Sequence, residues 1–121
     1  MNYHSNSIRT FIGTKNYKES REFYKLMEFD EIVLNDDMCY VRVNESTGFY
    51  LQDYYVKDWV DNSMIFLELT NLDEVHRGVA QKRLQDKYEL VRLSEIKTLD
   101  WGREFFLHDP SGVLWHFGEF K

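Results

Sequence analysis

The side chains in this sequence best suited to metal or proton chemistry are four histidines and one cysteine. Two of them, His108 and His116, bracket the turn in DWGREFFLHDPSGVLWHFGEF, residues 100–120. A neutral imidazole can ligate a divalent metal, move a proton near neutral pH, or form one polar patch in the wall of a cleft. His116 stands among aromatic residues, so both ligand contact and simple cleft packing fit it. His4 lies near the N-terminus, His76 on a predicted helix and His108 just before the turn, and surface or hydrogen-bonded roles are expected for all three. Cys39 is the only cysteine, which excludes an internal disulfide and a multi-cysteine zinc site. Ser20, Ser94 and Ser111 lack a Ser-His-Asp context, and no glycine-rich phosphate loop is present.

The elements that must carry these residues show an internal repeat. FIGTKNYKES, from Phe11, and FLELTNLDEV, from Phe66, lie 55 residues apart. Each begins as a short apolar strand, reaches an asparagine (Asn16, Asn71) and places a glutamate three residues later (Glu19, Glu74). Asn-x-x-Glu before a helical pattern resembles a capping box, in which the amide oxygen accepts from an orphan N–H of the first turn and the carboxylate reaches back. The first helix would turn Phe23, Tyr24, Leu26 and Met27 to a core, and the second Leu72, Val75, Val79 and Ala80. Strand candidates follow each helix: EIVLND, CYVRV and GFYLQDYY, then YELVRLS, REFFLHD and VLWHFGEF. Asp36-Asp37, Glu45 to Gly48 and Asp109 to Gly112 supply turn chemistry. The fold class read from this pattern is α+β, two βαβββ modules in tandem forming a concave cleft. The modules span about 8–55 and 63–120 of one domain, 1–121, with VKDWVDNS as connector.

The totals fit that size. A chain of 121 residues, 43% hydrophobic and 17% aromatic, can bury one sizeable core. A formal net charge of −6 argues against a partner with a phosphate backbone, so no nucleic acid is expected. No apolar run approaches the roughly 20 residues of a membrane span, no secretory pattern opens MNYHSNSIRT, and a cytoplasmic location is expected.

The paired βαβββ pattern, with SREFY in the first helix and DPSG before the last strand, resembles the vicinal oxygen chelate superfamily, which includes glyoxalase I, extradiol dioxygenases and bleomycin resistance proteins. The closest likeness is to the bleomycin resistance proteins, carried by NDDMCYVRV, DNSMIFLELTNLDEV and above all DWGREFFLHDPSGVLWHFGEF. Enzymes of the superfamily hold a divalent metal with His, Gln or Glu, one from each of four strands. Carried onto this sequence, those positions fall on Arg9, on Met64, near Tyr50 to Gln52, and on His116. Arginine has no lone pair to give, and a thioether suits such metals poorly. The resemblance therefore implies no metal and no other cofactor. It implies a homodimer sequestering a bleomycin-type drug or a similar aromatic, cationic small molecule. Trp101, in the matched WGREF run, takes the place of the family's stacking tryptophan. Met38 stands where the family has a partner aromatic, with Tyr40 two residues on; Tyr50, Trp59, Asp61 and His116 complete the expected ligand contacts. The alternative is a divergent metal-dependent lyase or dioxygenase using His116 with Glu68 or Glu119.

Overall fold

A computed structural model describes all residues, 1–121. The chain forms two compact units, Met1–Tyr55 and Val56–Lys121. The first contains β1 (Phe11–Gly13), α1 (Tyr17–Leu26), β2 (Asp30–Asn35), β3 (Met38–Arg42) and β4 (Gly48–Gln52). Its sheet runs β1-β4-β3-β2, with β1 parallel to β4 and the other pairs antiparallel. The second contains α2 (Lys57–Asp61), β5 (Met64–Glu68), α3 (Leu72–Lys82), a 3-10 turn (Leu84–Asp86), β6 (Arg92–Leu93), β7 (Lys97–Leu99), β8 (Gly102–His108) and β9 (Leu114–Phe120). Here β5 is parallel to β9, β9 pairs β8, and β6 and β7 both pair β8. The opening strand of each unit thus lies parallel to its last one. Phe11 is in register with Tyr50 and Phe66 with His116, so the repeat seen in sequence is also a repeat of position.

Strand alternation divides each sheet into a helix-covered face and an open one. On β3 and β4, Cys39, Val41, Phe49 and Leu51 are buried, while Met38, Tyr40, Tyr50 and Gln52 stand half-buried on the other side. Phe23 and Tyr24 of α1 are buried, Met27 closes the helix, and Leu26 is only half-buried. On β9, Trp115 and Phe117 are buried, opposite His116, as alternation predicts. In α3, Leu72 and Val79 are buried, Val75 is half-buried, and Ala80, expected in the core, is exposed.

The two helix starts differ in a way their matching sequences do not show. The Asn16 Oδ1 accepts from the Glu19 N–H at 3.1 Å, as a cap should. The Asn71 amide instead donates to Glu74 Oε2 at 3.2 Å, and the first turn of α3 is served by a strand: the Leu72 N–H donates to Glu119 Oε2 at 3.3 Å. The expected strand YELVRLS shrinks to Arg92–Leu93. The Ser94 hydroxyl oxygen accepts from the Phe106 N–H at 2.8 Å, in place of a backbone partner, and breaks the ladder; Lys97–Leu99 then resumes pairing with β8. His76 of α3 is within 2.8 Å of the Ser94 carbonyl and packs edge-on to Phe105, so it anchors this break.

The turn at Asp109 forms as its residues dictate. The buried Asp109 carboxylate accepts from the Ser111 and Val113 N–H groups at 2.8 and 2.9 Å, and Gly112, at φ +99, takes the conformation other residues avoid.

Candidate functional site

The open face of the second sheet carries an aromatic cluster. Trp101 occupies the two-residue hairpin turn between β7 and β8, where Leu99 pairs Gly102. A Cβ at Gly102 would collide with the Glu119 carbonyl oxygen, so only glycine lets the hairpin close against β9 and present Trp101 there. The Trp101 ring lies 6.0 Å from that of Phe66 and 5.2 Å from that of Phe120, and Phe66 and Phe120 are 5.7 Å apart. Phe66 and Phe120 are 47% and 53% exposed. Phe66 lies across Gly118, where a Cβ would strike its ring. His116 continues the patch, stacked on Phe66 at 6.4 Å and edge-on to Phe106 at 4.9 Å. Its Nδ1 is 3.0 Å from Glu104 Oε1, a carboxylate only 8% exposed. That contact fixes the ring and leaves Nε2 as the second polar atom of the imidazole.

Of the expected ligand contacts in this unit, Trp101 and His116 both touch Phe66. Trp59, 66% exposed, and Asp61 lie on the short helix α2. The Asp61 carboxylate already holds Lys57 Nζ at 2.6 Å, which offsets its charge locally. Phe66, Phe106, Phe120 and Glu104 were not singled out from the sequence. The signal was available: Phe120 and Gly118 share the parity of His116 on β9, and Phe66 opens the second repeat.

The open face of the first sheet is built differently. Tyr40 and Tyr50 are cross-strand neighbours, ring centroids 5.4 Å apart, and Phe11 stacks on Tyr50 at 4.7 Å. Met38 is in register with Gln52 on the same face. The structure therefore brings Met38, Tyr40 and Tyr50 to one face, as expected. It adds Arg9, whose guanidinium carbon sits 4.3 Å above the Tyr40 ring and whose Nη1 donates to Tyr50 Oη at 2.9 Å. This hydrogen bond raises the guanidinium pKa further, so Arg9 is always charged.

These residues do not fit a divalent metal. The position expected to donate on the first strand holds a guanidinium tied to Tyr50, and Met64 offers an exposed thioether. No group of three or more His, Cys, Asp or Glu side chains is arranged to hold an ion. Glu119, a carboxylate considered with His116, lies on the opposite side of β9, where it binds Arg103 Nη2 at 2.7 Å and the start of α3. Arg103 holds the Glu119 and Asp73 carboxyls below the usual carboxylate range. His108 is half-buried with an Nδ1 that finds no partner, and burial holds its pKa below the ordinary imidazole value.

No family model matches the sequence, and no curated protein sequence matches it. Solved structures do resemble it. A bleomycin-binding protein complexed with bleomycin superposes with a TM-score of 0.81 at 14% identity, covering 97% of this chain and 100% of that one. The bleomycin-binding protein of bleomycin-producing Streptomyces verticillus, complexed with copper(II)-bleomycin, gives 0.81 at 18% identity, covering 100% of both chains. A bleomycin resistance determinant encoded on the transposon Tn5 gives 0.76 at 17% identity, covering 95% of this chain and 98% of that one. At these identities the likeness speaks for architecture alone, and it agrees with the two βαβββ units: the chain has the fold of the glyoxalase/bleomycin resistance proteins.

Proposed function

We propose that this chain is a small-molecule binding protein that sequesters a bleomycin-type drug or a similar flat, cationic ligand, without a metal of its own, as a homodimer in the cytoplasm. The observation that carries the reading is the ring cluster of Trp101, Phe66 and Phe120, with half-exposed phenylalanines lying together on one sheet face. Exposed apolar side chains scattered singly are normal; a contiguous aromatic patch marks a binding surface. Such rings stack on a heteroaromatic group and attract a cation over their faces. Glu68 and Glu104, on the same sheet face by strand parity, and the net charge of −6 favour a positively charged ligand. Solved proteins of the same fold are described in complex with bleomycin, which supports the same ligand class here. Met38, Tyr40, Tyr50, Trp59, Asp61 and His116 are the further proposed contacts. A thioether at Met38 conforms to varied shapes, which favours a broad ligand range over a single drug.

Tryptophan fluorescence, titrated with bleomycin in metal-free and copper-loaded forms, tests this. Saturable quenching at one drug per subunit is expected, and Trp101→Ala should weaken binding by about tenfold or more, the order of one lost aromatic stacking contact. Absence of saturable quenching in the unaltered protein would leave the fold without this function. Sedimentation equilibrium over the same concentrations reads the dimer.

A further inference from the structure

We propose that Arg9, Tyr40 and Tyr50 form an anion-accepting subsite on the open face of the first sheet, one that takes the carboxylate of a flat aromatic acid in the plane of the guanidinium. The inference rests on Tyr40 and Tyr50 facing ligand, as proposed above, and goes beyond that reading in the sign of the charge they receive.

Three observations converge. Arg9 is spoken for by neutral groups only: it lies over Tyr40 and donates one N–H to the Tyr50 hydroxyl, and its charge is perturbed by those tyrosines and by no carboxylate. The other arginines of this unit are neutralised, Arg21 by Glu31 at 2.7 Å and Arg42 by Asp30 at 3.1 Å. In a chain of net charge −6, a guanidinium held off every carboxylate is a specific arrangement. Second, the platform under it is built. A Cβ at Gly48 would run into the Tyr40 ring and hydroxyl, so glycine is what lets that ring lie across β4 beneath Arg9. Third, an aromatic surface adjoins it, since Phe11, 56% exposed, stacks on Tyr50.

The chemistry follows from the geometry. With its carbon 4.3 Å from the centre of the Tyr40 ring and one N–H given to Tyr50, the guanidinium keeps an edge of further N–H groups to offer. That edge matches the two oxygens of a carboxylate, and the side chain held this way has already lost most of its rotamer freedom. A carboxylate attached to a ring would place the ring on Phe11. The acidic hollow of this unit, about 480 Å³ and lined by Asp36, Asp37 and Asp53, adjoins Met38 and the Gln52 end of β4, and its lining does not include Arg9.

The test uses the full-length chain and three probes of one shape: naphthoate, naphthol and naphthylmethylamine, each titrated while backbone amide resonances are followed. Naphthoate should saturate with shifts centred on Arg9, Thr10, Tyr40 and Tyr50, and should bind more tightly than the other two. Arg9→Gln should weaken naphthoate by about tenfold or more, the order expected for a charge-assisted hydrogen bond, and leave naphthol unchanged. Arg9→Lys should fall between, keeping the charge and losing the planar fork; Tyr50→Phe should lose part of the affinity with its ring in place. Arg9 is exposed and precedes β1, so amide dispersion should confirm that the variants are folded. Equal naphthoate affinity in Arg9→Gln, preference for the amine, or no shifts at these residues would each overturn the proposal. A naphthoate site with no bleomycin quenching would refute the drug reading alone; bleomycin quenching with no naphthoate site would refute this subsite alone.

Discussion

At the scale of single residues, two glycines decide what the open sheet faces look like. Gly48 gives its space to Tyr40 and Gly118 gives its space to Phe66, so each sheet lays an aromatic ring flat over a neighbouring strand. Such a ring is a platform where an upright one would be a wall. Gly118→Ala should therefore cost little stability, because the atoms it meets are the far end of a rotatable ring, yet it should lift Phe66 away from Trp101. The expected outcome is a shifted tryptophan emission and weaker bleomycin quenching, with an unfolding midpoint close to that of the parent. The sequence signalled part of this arrangement. Parity on the last strand put Trp115 and Phe117 inside and His116 outside, and a period of two is all that needs. It could not show that Glu104 would pair with His116, since the partner is fixed by the register between β8 and β9, which no local pattern states. In the sequence Arg9 shows only that it cannot bind a metal; its seat on Tyr40 depends on a glycine 39 positions further along the chain.

At the scale of elements, the legible parts were those governed by local chemistry. Asn16 caps α1 because cap and helix are adjacent in the chain, and the Asp109 turn closes on its own carboxylate. The same motif at Asn71 was misleading because a tertiary partner, Glu119, reached the helix start first. YELVRLS is too long a strand at both ends: its first residues turn, with the Val91 N–H donating to the Tyr88 carbonyl at 3.3 Å, and at its last the hydroxyl of Ser94 competes for the Phe106 amide. Helix and sheet are also tied by charge: Arg21 of α1 grips Glu31 of β2 through two bonds of 2.9 and 2.7 Å, with Lys25 at 3.4 Å as a weaker second partner. Glu31 is 11% exposed at its side chain. Arg21→Met keeps the aliphatic stem and strands that carboxylate, so a loss of about 1–3 kcal/mol is expected in urea unfolding. A loss within error of zero would mean that Lys25 replaces Arg21 fully.

At the scale of the whole molecule, acid should destabilise the fold. Arg21 holds the Glu31 carboxyl below its ordinary range, and Arg103 does the same for Asp73 and Glu119. A carboxylate with a depressed folded pKa stabilises the native state above its unfolded value of about 4, and that contribution is lost as pH falls through the folded value. Burial lowers His108 as well, so between its folded pKa and about 6.5 the unfolded chain binds a proton that the native chain refuses. Both act in one direction. The urea midpoint should decline modestly as pH drops through about 6 and more steeply below about 4.5; His108→Gln should remove the first part and spare the second. The duplication matters at this scale too. Two units of equivalent topology carry different chemistry on their open faces, a guanidinium on tyrosines in one and an aromatic cluster with carboxylates in the other.

The single cysteine has a practical corollary. Cys39 is fully buried on β3, and burial pushes its thiol pKa up, so the reactive thiolate is scarce and shielded. Towards maleimides and alkylating dyes the folded protein is in effect thiol-free. One cysteine engineered at an exposed position such as Ser5 would then be the only labelling point, and a fluorophore or spin probe could report on ligand uptake without first stripping the native sequence of its own sulfhydryl.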